Sequence, residues 1–470
     1  MYQGKNTMKE IELFDKIYGA WTGKVAGGTY GMPVEGRNRQ VIASLHPPLS
    51  GWTKHHKQGV NDDEQYELIS LLALEDLSDD EFADRLKAGT IFEPNYLGSY
   101  WLKHLLPQYV FTAEKSAYDN AKNGVPWEHA GDFIYEHEGK VFGNEYADWI
   151  GAQMKGELYG MLLPAWGWYE NSRNDLELLK PCLDLSLQDA LIAHREVGIV
   201  GELFVSAMIS VAISHNPYEY KEEIHFPKSE ISKLEIDSTS IKGFKREYEY
   251  FDAFTQQINQ VGICGETISS DIKRIKAVLF DYASLTDSIS TKDVELYYSF
   301  IDPIVNAFLE DPDSRDWISK FFISKSDLKD WEKKIDGLWW KHEGDMINDA
   351  LIRFKDFPSL LARRVRSFSK GFVHTLFNNS AIVIGLLYGD GDFIQTVRIS
   401  TECGFDTDCN AGNAGAILGA YLGQKLIPSY AKRFIRGEII PGLKEWKDKS
   451  IRNLAERTLA QTERFKKFSS

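Results

Sequence analysis

Residues 402–423 read Glu402-Cys403-Gly404-Phe405-Asp406-Thr407-Asp408-Cys409-Asn410-Ala411-Gly412-Asn413-Ala414-Gly415-Ala416-Ile417-Leu418-Gly419-Ala420-Tyr421-Leu422-Gly423, an Asp-x-Asp turn feeding a helix of small residues. A glycine inside a helix costs about 1 kcal/mol relative to alanine. Gly412, Gly415, Gly419 and Gly423 therefore need a reason, and the ordinary one is a second helix packed close by. A similar pattern stands near the amino end. Phe14, Ile17, Tyr18, Trp21 and Val25 recur with the spacing of an amphipathic helix, and Gly19, Gly23 and Gly27 lie four apart on another face. Beyond them, residues 27–36 carry enough glycine and proline to end a helix and form a loop.

A second acidic cluster, Asn61-Asp62-Asp63-Glu64, runs into Tyr66, Leu68, Ile69, Leu71, Leu72 and Leu74, a helix with its acids at the amino end, where they suit the helix dipole. Further helical periodicities occur at 101–106, 151–163, 187–213, 304–309, 360–387 and 396–422, and alternating strand patterns are scarce. The predicted fold is all-α, a compact multi-helix bundle. Residues 215–345 are richer in Lys, Glu and aromatics and read as a large helical insertion, a lid or subdomain between two parts of one catalytic domain, 1–214 and 346–470.

With 470 residues, 43% hydrophobic and 26% charged, the chain has the composition of a globular protein. Its 54 Lys and Arg against 69 Asp and Glu give a net charge of -15, which repels phosphate backbones and anionic lipid. No nucleic-acid or membrane partner is expected. The cysteines at 182, 264, 403 and 409 form no CxxC and no disulfide framework, and residues 1–17 lack the apolar stretch of a signal peptide. A cytoplasmic location is the expectation.

Alternate acids in a turn suit a hard divalent cation, which wants several oxygen ligands. Taken singly, Asp-Asp before a helix is more often a cap than a ligand, and His194 more often a core histidine. Taken together, the pieces resemble the ADP-ribosylglycohydrolase family in four places, in family order. Residues 31–36 look like its first loop with a site glutamate, here Glu35. Residues 61–64 are similar to its TDDT metal loop. His194, before Gly198 and Gly201, resembles its mid-chain substrate-side histidine, and residues 404–408 resemble its GGDTDT signature. A further similarity links Gly151, Met154 and Lys155 to the GAxMR stretch that approaches ligand phosphates.

The resemblance implies hydrolysis at the anomeric carbon of an ADP-ribosyl or related glycosyl group. It gives Glu35 and Asp63 catalytic roles, and makes Asn61, Asp62, Asp63, Asp406 and Asp408 the ligands of Mg2+, two ions or one, with Mn2+ an alternative. His194, Gly151, Met154, Lys155 and Phe405 become substrate contacts. The partner implied is an ADP-ribosylated or other glycosidic substrate; the sequence does not give the oligomeric state. The chain departs from the pattern at Gly28, where many members carry an aspartate, at Asn61 and Glu64, where they carry threonines, at Phe405 for glycine, and at Cys409 for Thr or Ser. A soft sulfur is a poor magnesium ligand, suiting zinc or staying out of the shell. Two rivals follow: a binding module that keeps the metal and recognises ADP-ribose or a nucleotide without cleaving it, and a purely structural helical scaffold. His55-His56 read as a solvated loop or a metal approach. The tryptophans at 166, 168, 331, 339 and 340 read as sugar-stacking surfaces or as faces of ordinary helices.

Overall fold

The first helix does not stop where its glycines suggest. In a computed structural model, which describes residues 10–44, 58–170, 174–215, 263–314, 316–322, 334–433 and 435–469, α1 spans Glu10–Gly31 and carries Gly27, Gly28 and Gly31 within it. What holds these glycines helical is a partner backbone, not propensity. A Cβ at Gly19 would lie 2.3 Å from the carbonyl oxygen of Gly419, at Gly23 2.0 Å from that of Gly415, at Gly27 1.9 Å from that of Ala411, and at Gly31 2.0 Å from that of Thr407. The two helices thus run antiparallel in one fixed register, touching backbone to backbone at these four positions. The loop expected at 27–36 shrinks to the turn Met32–Val34 and the residues after it.

The body around this pair is built from α2 (Gln65–Asp76), α3 (Thr112–Lys122), α4 (Asp175–Ala190), α5 (Val197–Ser214), α6 (Gly265–Ala283), α7 (Thr291–Glu310), α8 (Thr375–Tyr388), α9 (Phe393–Glu402), α10 (Thr407–Leu422) and α11 (Ile451–Phe468). The fold is all-α, as expected. A hairpin of β1 (Tyr135–His137) and β2 (Lys140–Phe142) turns at Glu138 and Gly139, whose φ values of 49° and 74° suit a two-residue hairpin turn.

By length and composition α5 could cross a membrane, with a mean hydropathy of 2.0, but 94% of it is buried inside the protein. It is a core helix apolar on all sides. α6 and α7 contribute Ile272, Ile275, Tyr297, Ile301 and Ile304 to the same apolar cluster as α1 and α5. His55, His56 and Trp331 lie outside the described residues. Trp168 is buried, donating to Asp271 at 2.8 Å with the Arg274 guanidinium 4.0 Å over its ring. Trp339 is buried against Phe377 and His374, whereas Trp340 is exposed.

Candidate functional site

The register of α1 against α10 brings the end of one and the start of the other to the same place. Thr407, at the first turn of α10, donates its hydroxyl to the Gly31 carbonyl at 2.9 Å. Just beyond, the Gly36 amide donates to the Phe405 carbonyl at 3.0 Å and the Phe405 amide to the Arg37 carbonyl at 3.2 Å. These bonds lock the segment bearing Glu35 to the Asp-x-Asp turn. Phe405 has a φ of 72° after Gly404 at 82°, a left-handed conformation that explains why glycine suits this position and that costs a bulky residue about 1–3 kcal/mol. Its ring stacks on Phe377 with centroids 4.4 Å apart. Asn378 of α8 braces the turn, accepting from the Asp406 amide at 3.0 Å and from Asn410 Nδ2 at 2.8 Å.

The second acidic loop arrives from the other side. The Asn61 amide donates to the Ile440 carbonyl at 3.3 Å, and Asn61 Oδ1 accepts from the Asp63 amide at 3.0 Å, an Asx turn that starts α2. Asn61 Nδ2 would lie 2.8 Å from a Cβ at Gly28. The amide of Asn61 therefore fills the space into which a longer side chain at position 28 would reach.

Across the two loops, ligand atoms of Asp63, Asp408 and Cys409 lie within 4.8 Å of one another, as do those of Glu35, Asp406 and Asp408. Cys409 Sγ donates to Asp63 Oδ1 at 3.0 Å, joining positions 346 apart in the chain. Asp408 belongs to both groups, and its Oδ1 is buried without a hydrogen bond. Asp62 is half-buried beside them.

So many acids in one enclosed space raise each other's pKa. Asp408 is pushed up to about 7 by burial and by Asp63. Asp406 rises well above the carboxylate range through burial, then Asp408 and Asp63. Burial and Asp62 lift Asp63, against the pull of Lys24, and burial with Asp408 lifts Asp62. Glu35, at the exposed rim, is held up to about 7 by Asp408 first and by burial second. Burial takes Glu64 to about 8 despite Lys24.

The remaining expected site residues fall at different depths. Met154 borders the centre, its Sδ 4.0 Å from Cys409 Sγ. Gly151 stands behind it: a Cβ there would meet the Glu114 carboxylate at 2.1 Å. His194 is wholly buried, with Nε2 3.5 Å from Glu114 Oε1 and its pKa driven well below the ordinary value by burial and then by Lys155. Lys155 is also wholly buried, Nζ meeting Asp189 Oδ2 at 2.5 Å and Glu202 Oε2 at 3.7 Å. Lys155 is thus paired with buried acids of its own, whereas both ring nitrogens of His194 are buried without a hydrogen bond.

Sequence reasoning passed over Lys24 and Glu114. Lys24 Nζ lies 2.7 Å from Glu67 Oε2 and 2.9 Å from Glu157 Oε2, donates to the Met154 carbonyl, and is near enough to Asp63 to pull its pKa down. A lysine between Trp21 and Val25, on a helix otherwise apolar or glycine-lined there, was the available signal. Glu114 gave none.

The ADP-ribosylglycohydrolase family model matches residues 9–275 and 307–466. No curated protein matches the chain. Among solved structures, a chain described as an ADP-ribosylglycohydrolase-related protein complex is 14% identical, with 98% of this chain and 100% of that chain covered and a TM-score of 0.44.

Proposed function

This chain belongs to the ADP-ribosylglycohydrolase family, and from that premise we propose a metal-dependent hydrolase cleaving an N- or O-glycosidic bond at the anomeric carbon of an ADP-ribosyl or related glycosyl group. The observation that carries the reading is that residues from three separate stretches of chain form two adjoining groups, Asp63 with Asp408 and Cys409, and Glu35 with Asp406 and Asp408, each within 4.8 Å and joined at Asp408. Buried like charges are costly unless a counter-charge meets them. The unpartnered Oδ1 of Asp408 is an oxygen with nothing to accept from, and an all-oxygen set fits a hard divalent ion. Asp62, Asp63, Asp406 and Asp408, with Asn61 in support, would hold Mg2+ or Mn2+. Such ions, when bound, offset the clustered charge, clamp hydroxyls and polarise the bond to be broken.

Glu35 supplies the proton chemistry. In the metal-free chain its carboxyl is held up to about 7 by Asp408 first and by burial second; a cation on Asp408 would weaken that push and favour the carboxylate, the form that acts as a general base. From the rim, its Oε atoms can take a proton from an incoming water or hand one to a departing group. As a carboxylate it also stabilises the positive charge that develops at an anomeric carbon. Ion analysis of the purified protein, combined with hydrolysis of ADP-ribosyl-arginine, ADP-ribosyl-serine, nucleosides and aryl glycosides, tests this reading. Chelation should stop turnover and Mg2+ or Mn2+ restore it, while Asp406→Ala should lose both metal and activity with helicity unchanged. Full activity in Asp406→Ala would refute the assignment.

One observation favours a second reading, a module that binds ADP-ribose without cleaving it. With Asn61 Nδ2 occupying the space above Gly28, an acid usual in the family is absent and cannot be accommodated without moving Asn61. Calorimetric binding of ADP-ribose with no product across the whole substrate panel would decide for it.

A further inference from the structure

Among the described residues, the potential metal-ligating side chains gather into two groups that share Asp408 and differ in chemistry. One, Glu35 with Asp406 and Asp408, offers oxygen alone. The other, Asp63 with Asp408 and Cys409, offers a sulfur between two carboxylates, and Met154 Sδ stands 4.0 Å behind that sulfur. We infer that the centre has two unlike cation positions, an oxygen-only one for Mg2+ or Mn2+ and a sulfur-bearing one at Cys409 that takes a thiophilic divalent cation such as Zn2+, Co2+ or Cd2+. The inference rests on the metal-centre reading above and goes beyond it in assigning a different cation class to each position.

Ligand softness is the reason. Thiolate selects the borderline and soft ions, whereas carboxylate sets suit magnesium and manganese. Cys409 is buried, its Sγ within hydrogen-bond reach of Asp63 Oδ1 at 3.0 Å and of Met154 Sδ at 4.0 Å. The second, independent pointer is Asp408 Oδ1, buried and without a hydrogen bond although it belongs to the same group. The other three cysteines are free and belong to neither group. When a cation enters, the S–H bond breaks, the sulfur keeps the electron pair and donates it to the metal, and the proton leaves to solvent by way of Asp63, which already accepts it. Nothing is oxidised or reduced.

The experiment is a Co2+ titration of the metal-free full chain, comparing wild type with Cys409→Ser and with Cys403→Ser as a thiol control. The expected result is a near-ultraviolet sulfur-to-cobalt charge-transfer band in wild type and Cys403→Ser that is lost in Cys409→Ser. Calorimetry should show Cd2+ affinity falling by roughly tenfold or more in Cys409→Ser, with Mg2+ affinity much less affected. Cobalt uptake without the band in wild type, or a band that survives in Cys409→Ser, overturns the inference and leaves the metal-centre reading intact. Failure of wild type to bind any divalent cation removes both. Should Cys409→Ser not fold, cadmium NMR of the wild type decides: a sulfur-bearing site resonates far downfield of an all-oxygen one, and oxygen-type resonances alone count against a cysteine ligand.

Discussion

Two groups of buried acids lie in the same helical body and meet their charge differently. Asp189 and Glu202 share Lys155, and Glu67 and Glu157 share Lys24, so each pair of carboxylates encloses an ammonium within 2.5 to 3.7 Å. Asp63 and Asp406 each approach Asp408 within 4.8 Å, yet among the described residues no lysine or arginine forms an ion pair with any of the three. The first arrangement has one ammonium for two carboxylates, burial holding Glu67 and Glu202 well above the usual carboxylate range, and it fastens helices together. The second is left short of positive charge, which is how a site awaiting a cation differs from an ion pair that fastens helices together.

Removing the lysine from a group that has one should have the largest effect. Lys155→Met leaves Asp189 and Glu202 buried and unpaired, and should cost about 3–5 kcal/mol of stability, read as a lowered denaturation midpoint or loss of soluble protein. Removing an acid from the uncompensated group should do the reverse. Asp408→Asn, measured without metal near neutral pH, should stabilise the chain by on the order of 1–2 kcal/mol while ending cation uptake. A destabilised Asp408→Asn protein would mean that the cluster already has a counter-charge, and the contrast would fail.

The same comparison has a pH signature. Asp408 titrates near 7 when folded but near 4 when unfolded, so between these values the folded chain holds the proton that the unfolded chain has released. Stability of the metal-free protein should therefore fall as pH rises from about 4 through about 7. Saturating Mg2+ should remove most of that slope. Thermal melts across this range with and without Mg2+ check both statements, and a slope unaffected by Asp408→Asn would assign it to other groups. The smallest effect is expected at Phe405. Phe405→Gly relieves the left-handed strain of about 1–3 kcal/mol and gives up the stack on Phe377, worth about 0.5–1.5 kcal/mol beyond burial. The two should nearly cancel in stability, whereas a change in substrate KM would mark the ring as part of the site's wall.

Much of this was legible in the sequence because it is local. Glycines at intervals of four near both ends of the chain called for close helix contact, and the Asp-x-Asp turn before small residues named its own site. The continuation of α1 through Gly27, Gly28 and Gly31 was not legible, since the partner backbone that stabilises it comes from residues 407–419, far along the chain. The depth of Lys155 and His194, both wholly buried, was not legible either, because a motif gives a position along the chain but not a depth. The acids around Lys155, Asp189 and Glu202, are brought near only by the folded packing.

The antiparallel register of α1 and α10 also bears on assembly. Contacts this distant in sequence form slowly, because the whole intervening chain must be brought to order first. A growing polypeptide can lay down α1 early, but with its glycines unmatched it holds only a stretch of poorly helix-forming backbone. Each glycine finds its counterpart once residue 419 has been synthesised, and the alignment that secures the helix simultaneously closes the acidic centre. Any cation the centre takes would thus bind only to chains that have completed this pairing, and incomplete translation products would lack the centre altogether.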